Sequence, residues 1–471
     1  MEISKASPEF RRRINVLLLR MNMNTDHIGL LRADWKTALF PPTYQLVPHI
    51  HEVYELHLAH LESRLLTEAE IIQNGAFFAR VNGRPTRHLL MCTGQPLRLP
   101  DHSSCRLKAF FERNLFRTGY GTHGLFPYRG KFHPQMVKAL MNIMGLKPGQ
   151  TVLDPMMGSG TVCVEASLMG INSIGVDISP FCEFMARTKL TALTMDLTRV
   201  HRARENAEKV FEYFTRRIES QPVGEKRQRV PHDPIPSQNL REDKASLFNT
   251  GGDRDTLDTQ NLLLLAYLDS IGYAERTRGK DPVKLFCGIL DRYLFVCEKI
   301  QATLGSDCAR LGKATPLTGD ARALPLAESC VDGVLFSPPY SFAVDYVAND
   351  SFHLQALGVD AADLRETMVG LCGGPRLRDK YDTYRQDMRK ILVECRRVLR
   401  SGGLCTIVIG TNSSQISKAL HIAEEQVQGL DELIRQLGHE SGLAFIQQID
   451  RPVLGLMNTM REEHIVLLQK E

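Results

Sequence analysis

Two short stretches carry residues whose types and spacing could do chemistry. The first is Thr151-Val-Leu-Asp-Pro-Met-Met-Gly-Ser-Gly-Thr161. It offers a carboxylate, Asp154, and then Gly158 and Gly160, whose backbone can approach a ligand closely because no Cβ intervenes. The second is Ser337-Pro-Pro-Tyr340, a hydroxyl and an aromatic ring on a backbone stiffened by two prolines. A phosphate loop is disfavoured for the first stretch, because that pattern needs Lys where Thr161 stands. The dinucleotide fingerprint Gly-x-Gly-x-x-Gly fails too, since Val162 and Cys163 follow Gly160 and no third Gly sits at the required place. What remains is a small-molecule loop led by an acid.

Asp154 suits an ammonium group, and the glycine backbone a carboxylate or a ribose. A methionine-type amino acid joined to a nucleoside has those groups, so the ligand inferred is S-adenosylmethionine. The second stretch suits an amine. An exocyclic amine on a heteroaromatic ring is a poor nucleophile, because its lone pair is delocalised. Acceptors on its hydrogens, here the Ser337 hydroxyl and the Pro338 carbonyl, favour the tetrahedral form whose lone pair can attack a sulfonium methyl. Tyr340 offers a flat face to a base, worth ~1–3 kcal/mol in nucleic-acid sites. Pro-Pro-Tyr alone would read as a loop; paired with the glycine loop, both at strand ends, it reads as a site.

Strands must hold these stretches. Thr151 to Leu153 is a short apolar run with β-branched residues, and Asp154-Pro155 stops its ladder. From Thr161, the pattern Val162, Val164, Glu165, Ala166, Leu168 and Met169 predicts a helix ended by Gly170. Asn172 to Asp177 is a second strand ending in an acid, where α/β nucleotide folds hold ribose hydroxyls. Pro316 to Asp320 is a third, and Asp320 could accept from an adenine amino group. Val331 to Phe336 leads straight into Ser337. Leu404 to Gly410, Leu443 to Ile449 and His464 to Leu468 complete seven strands, the last two as a closing antiparallel hairpin. The expectation is an α/β fold with a doubly wound, mostly parallel, Rossmann-like sheet.

The rest of the chain frames this unit. Its 471 residues allow two or three domains, and 43% apolar with 24% charged residues is ordinary globular composition. The net charge of +4 is compatible with a nucleic-acid partner without being a sign of one. No secretory leader and no run of ~18 apolar residues is visible, so a soluble, cytoplasmic chain is expected. Eleven cysteines without Cys-x-x-Cys read as reduced, mostly buried thiols, and no metal is expected. His49, His51, His57 and His60 match no ligand spacing and read as a solvated helix face. Residues 1–120 are an N-terminal accessory domain, in which Ala76 to Val81 and Leu89 to Met91 flank an Asn82-Gly83 hairpin signal. Residues 121–195 are the cofactor half and 311–471 the catalytic half. Between them, 196–310 form a mainly helical insertion. A long, partly basic helix expected over 183–220 runs into it, and it contains a mobile loop, Gln221 to Gln260, where apolar periodicity is lost.

Taken together, the motifs resemble the amino-methyltransferases of DNA, which act on cytosine N4 or adenine N6. The resemblance covers about 121–195 and 311–471. It rests on Asp154 to Thr161, on Ser337 to Tyr340, and on Thr122-His-Gly-Leu-Phe-Pro-Tyr-Arg-Gly-Lys-Phe-His-Pro134, similar to the segment that helps enclose the cofactor. It implies that Asp154, Pro155, Met156, Gly158, Ser159, Gly160, Thr161, Asp177, Ile178 and Asp320 hold S-adenosylmethionine, with Lys131, Phe132 and Pro134 beside them. Ser337, Pro338, Pro339 and Tyr340 would hold the target amine. Ser in the first tetrapeptide position is more typical of the cytosine-N4 members, so N4-methylcytosine in duplex DNA is the expected product. A cognate restriction endonuclease fits the same resemblance. The large insertion departs from the family and leaves target recognition open between it and the N-terminal domain. Competing readings are a tRNA guanine-N2 enzyme, which usually carries Asp-Pro-Pro-Tyr, and a nucleic-acid binder with a vestigial pocket.

Overall fold

The computed structural model describes residues 38–48, 50, 52–93, 119–128, 130–219, 254–276, 279–340, 345–454 and 460–471. Near the N-terminus, β1 (Tyr44–Leu46) is followed by α1 (Val53–Leu65) and α2 (Glu68–Asn74). Each helix opens on a capping box, Glu52 with Glu55 and Thr67 with Glu70, which satisfies free amides of the first turn. β2 (Phe78–Val81) and β3 (Arg84–Pro85) then pair antiparallel across Asn82-Gly83, both at positive φ. The run Leu89 to Met91, expected as the other hairpin strand, lies instead in α3 (Arg87–Thr93). Pro85 ends the ladder, and the Thr86 hydroxyl accepts the Leu89 N–H to start a helix.

α4 (Pro134–Ile143) has Pro134 in its first turn, behind His133 as cap. The N-terminal residues pack on it: Leu56, Phe77 and Val81 share one core with Val137 and Leu140 of α4 and with Val152, Leu335 and Val408 of the large sheet. This burial corrects the solvated histidine face. His57 and His60 are 3% and 2% exposed, and burial, then the neighbouring His60, brings His57 down to about 4. His49 and His51 lie outside the described residues.

Glu62, in the same core, accepts from the Ala76 N–H at 3.0 Å and the Asn142 amide at 2.6 Å. Burial outweighs these bonds and raises its pKa from 4.5 to about 7. The neutral acid is therefore favoured by folding below pH 4.5, and that stability is lost as pH rises through 7. Glu62→Gln keeps the shape and cannot ionise. Its stability relative to wild type is expected to rise by about 3 kcal/mol between pH 4.5 and 8.5. Urea titrations of both proteins at the two pH values measure this; a difference that stays constant would exclude it.

The large domain continues with β4 (Thr151–Asp154), α5 (Thr161–Leu168), β5 (Asn172–Asp177) and α6 (Pro180–Thr191). The long helix expected over 183–220 is broken into α6, α7 (Thr198–Glu205) and α8 (Ala207–Glu219). The break falls where the Asp196 carboxylate accepts the Thr198 N–H at 2.9 Å, an Asx turn. α9 (Arg254–Arg276) and α10 (Pro282–Leu304) follow. The loop expected over 221–260 lies outside the described residues as far as 253; residues 254–260 are helical and begin α9. Apolar residues of α7 to α10 form a core with α5 and α6 that includes no sheet residue, so these helices form an outer layer.

β6 (Ala314–Thr318), β7 (Val331–Phe336), α11 (Tyr346–Ala356), α12 (Ala361–Thr367) and α13 (Leu377–Val398) come next. β8 (Leu399–Gly410), α14 (Ser413–Leu420), α15 (Leu430–Glu440), β9 (Leu443–Leu454) and β10 (Met460–Lys470) complete the chain. The seven strands lie in the order β6-β5-β4-β7-β8-β10-β9. The first five are parallel, and β10 is antiparallel to both β8 and β9, as the doubly wound reading and its closing hairpin require. Alternation splits the sheet between two cores. Val152, Leu335 and Val408 face α4; Leu153, Val334, Phe336 and Ile407 face α13, α14 and α15. No helix among the described residues is long and apolar enough to cross a membrane.

Candidate functional site

Parallel register sets the chemistry in a row. Asp154 pairs with Gly175, Asp177 with Thr318, and Leu153 with Val334. The ends of β6, β5, β4 and β7 therefore present, side by side, Asp320, Asp177, the glycine loop and Ser337. Ligands of open α/β sheets bind along such an edge, where strand order reverses. A cleft opens there. Of the residues expected to hold cofactor, Pro155, Met156, Gly158, Asp177, Ile178 and Asp320 line it, and of the tetrapeptide expected to hold the amine, Ser337 and Pro339 line it.

The glycine loop is tied to Asp177. The Gly158 N–H donates to Asp177 Oδ2 and the Ser179 N–H to Oδ1, both at 2.9 Å. Burial still holds the Asp177 carboxyl above its ordinary range. Asp154 sits beneath the cleft, 2% exposed, and accepts the Met156 N–H at 3.0 Å; burial, then the Asp177 charge, pushes it well up. Ser159, Gly160 and Thr161 are likewise buried under the loop. Lys189 of α6, which the sequence reading passed over, donates to the Ser159 carbonyl at 3.2 Å. Burial takes its ammonium well below the usual lysine range.

Asp320 lines the cleft but is largely engaged by Arg322, at 2.9 and 2.8 Å. Those bonds outweigh burial and lower its pKa. Arg322 also reaches Asp387 of α13 and the Thr367 carbonyl after α12.

The tetrapeptide is held from two sides. Tyr384 of α13, also unforeseen, donates to the Pro339 carbonyl at 2.9 Å. The Tyr340 hydroxyl donates to Glu463 of β10 at 2.9 Å, and Glu463 accepts from Arg451 at 2.7 Å. Burial and the Glu463 charge raise the phenol's pKa, so it is a neutral donor. Pro338 is buried. Ser337 and Pro339 line the cleft, whereas Pro338 and Tyr340, expected beside them, are not among its lining residues, and Tyr340 packs against the core under α13.

The segment before the loop is anchored by Glu165, buried on α5. It accepts from Tyr120 at 2.5 Å and His123 at 2.8 Å, with Lys138 of α4 at 3.3 Å. Against the cost of burial, Lys138 and these bonds bring its pKa down to about 2. Lys131 donates to the His123 carbonyl at 3.1 Å, and burial lowers it to about 8. Phe132 packs on the core and Pro134 begins α4. None of these three is among the residues lining the cleft; Tyr128 and Gly130 of the same segment line it instead. The far wall comes from α11 and α12, through Tyr346, Val347, Asp350, Leu354 and Leu364. The helical spacing of the first four, just after the tetrapeptide, was the available signal.

Comparison with known proteins finds similarity to methyltransferases. The family model described as RMKL-like, methyltransferase domain, matches residues 125–217. Type II methyltransferase M.BsoBI of Geobacillus stearothermophilus is 26% identical over 287 residues, which cover 52% of this chain and 54% of that protein. Type II methyltransferase M.MjaII of Methanocaldococcus jannaschii is 50% identical over 68 residues, 14% of this chain and 13% of that protein. A tRNA (guanine(10)-N2)-dimethyltransferase of Methanothermobacter thermautotrophicus is 40% identical over 53 residues, 11% of this chain and 16% of that protein. The chain spans about half the length of the first of these relatives and less of the others. Over residues 125–217 the chain thus matches a methyltransferase-domain model, and over about half its length it is similar to a Type II methyltransferase, in line with the S-adenosylmethionine-dependent methyltransferases that its motifs resemble.

Proposed function

We propose that the chain methylates the exocyclic amine of a base flipped out of duplex DNA, and that the base is cytosine, at N4. The observation that carries this is that Ser337 and Asp177 line one cleft, at the ends of β7 and β5 on either side of β4. S-adenosylmethionine bound there supplies the sulfonium methyl. Gly158, Asp177 and Ile178 would orient its nucleoside. Ser337 and the Pro338 carbonyl accept the hydrogens of the target amine and turn its lone pair toward that methyl. Tyr340, tethered through Glu463, gives the base a fixed ring to rest on. Extracting a base from a duplex costs a few kcal/mol, which stacking recovers in part. A serine in place of the acid suits cytosine, in line with the family's habit. Such an enzyme would mark sites against a cognate restriction endonuclease.

The match to a tRNA dimethyltransferase supports a second reading, guanine N2 in tRNA. Labelled-methyl transfer to DNA and to tRNA in parallel, followed by nucleoside analysis, separates the two. N4-methylcytosine is the expected product. N6-methyladenine would correct the base alone, and label found solely in RNA would rule out DNA as the substrate.

A further inference from the structure

α11 turns one face to the cleft. Tyr346, Val347, Asp350 and Leu354 all line it, at the spacing of a single helical face. Two anchors set that face. Asp345 caps the helix by accepting the Ala348 N–H at 2.8 Å. Farther along, the buried ring of His353 stacks on Phe181 of α6 at 4.8 Å and 10°, and meets Phe126 edge-on at 5.1 Å. Because α6 starts just after Asp177, that stack brings Asp350 to the carboxyl end of β5.

Asp177 and Asp350 therefore face one cavity. Each Asp177 oxygen accepts one backbone N–H, and a carboxylate has about four lone-pair sites, so acceptors remain for a ligand. Its raised pKa, due first to burial, owes part to the Asp350 charge. Asp350 has a side chain 14% exposed, and His353 Nδ1 lies 3.8 Å away, too far for a hydrogen bond. Neither His353 ring nitrogen has a hydrogen-bond partner among the described residues. Two carboxylates facing each other repel unless hydrogen donors stand between them. The vicinal 2′- and 3′-hydroxyls of a ribose are two neutral donors held side by side.

We propose that Asp350 is a second cofactor-binding acid, which with Asp177 takes the two ribose hydroxyls of the cofactor. This rests on the cleft being the cofactor site. The helix that follows the catalytic tetrapeptide thereby reads the cofactor as a ribonucleoside.

Calorimetry with S-adenosylhomocysteine and its 2′-deoxy and 3′-deoxy analogues tests this on the full chain. Wild type should prefer the ribo form over each analogue by about tenfold or more, the scale of a hydrogen bond to a charged group. In Asp350→Asn and Asp350→Ser, the preference over one of the analogues should shrink to about twofold, with unchanged unfolding of the ligand-free protein. Variants that keep the full preference overturn the assignment, as does an equal loss for all three ligands, which would mark Asp350 as structural. If wild type binds none of the three, the cofactor reading of the cleft falls as well.

Discussion

Replacing Ser337 with Ala is expected to lower methyl-transfer turnover by about 10²–10³-fold, the usual effect of removing one polar group aimed at the reacting atoms. Ser337 faces the cleft at the end of β7. Among the described residues its hydroxyl makes one long contact, 3.5 Å to the Tyr340 hydroxyl, so its lone pairs are available to an incoming amine. The backbone around it is fixed by two prolines and by Tyr384 on the Pro339 carbonyl, and it should not move in the variant. Cofactor affinity, which the proposal assigns to Asp177 and the glycine loop, should change little. Single-turnover transfer to DNA, with S-adenosylhomocysteine binding measured alongside, reads both quantities. Unchanged turnover would remove Ser337 from the reaction, and a parallel loss of cofactor affinity would reassign it to binding.

Gly160→Ala should destabilise the fold by roughly 3–5 kcal/mol, because two costs add. Gly160 has φ +76, where L side chains are strained. A Cβ there would also lie 2.6 Å from the Ala186 Cβ and 3.0 Å from its Cα, and neither is a flexible end that can swing away. The loop or α6 must shift, and with it the amide of Gly158 that orients Asp177. Gly158→Ala is the control. Its φ is +47, but its Cβ would meet only Tyr128, at 3.5 Å, so backbone strain of about 1–2 kcal/mol is all it should show. Ala186→Gly should recover part of the Gly160→Ala loss, since one of the two clashing atoms goes. Equal destabilisation by the two glycine variants, read from urea midpoints, would show that α6 yields and that packing is not what reserves position 160 for glycine.

The parts of this protein legible in the linear chain were those specified locally. Strand, Asp-Pro stop, glycine turn and helix appear in order between Thr151 and Gly170, since β-branched runs, proline and glycine act on their own backbone. Seven strand-like runs implied the doubly wound sheet, and Pro-Pro made Ser337 conspicuous. What failed were readings that depend on what covers a surface. His57 and His60 lie on a helix whose polar pattern suggested water, and only the packing of the N-terminal residues into the core decides that they are buried. Leu89 to Met91 suits a strand or a helix equally well until Pro85 and Thr86 choose. The tertiary structure alone decided which groups meet. Parallel register aligned Asp320, Asp177, the glycine loop and Ser337, pairing residues as far as 181 positions apart in sequence, as Leu153 with Val334. Long-range bonds then committed Asp320 to Arg322 and Tyr340 to Glu463, and the stack of His353 on Phe181 carried Asp350 to the cleft. Spacing along a chain reports only neighbours within a turn or two, whereas a binding site is made by strand order, and strand order is set by which apolar faces can be buried together.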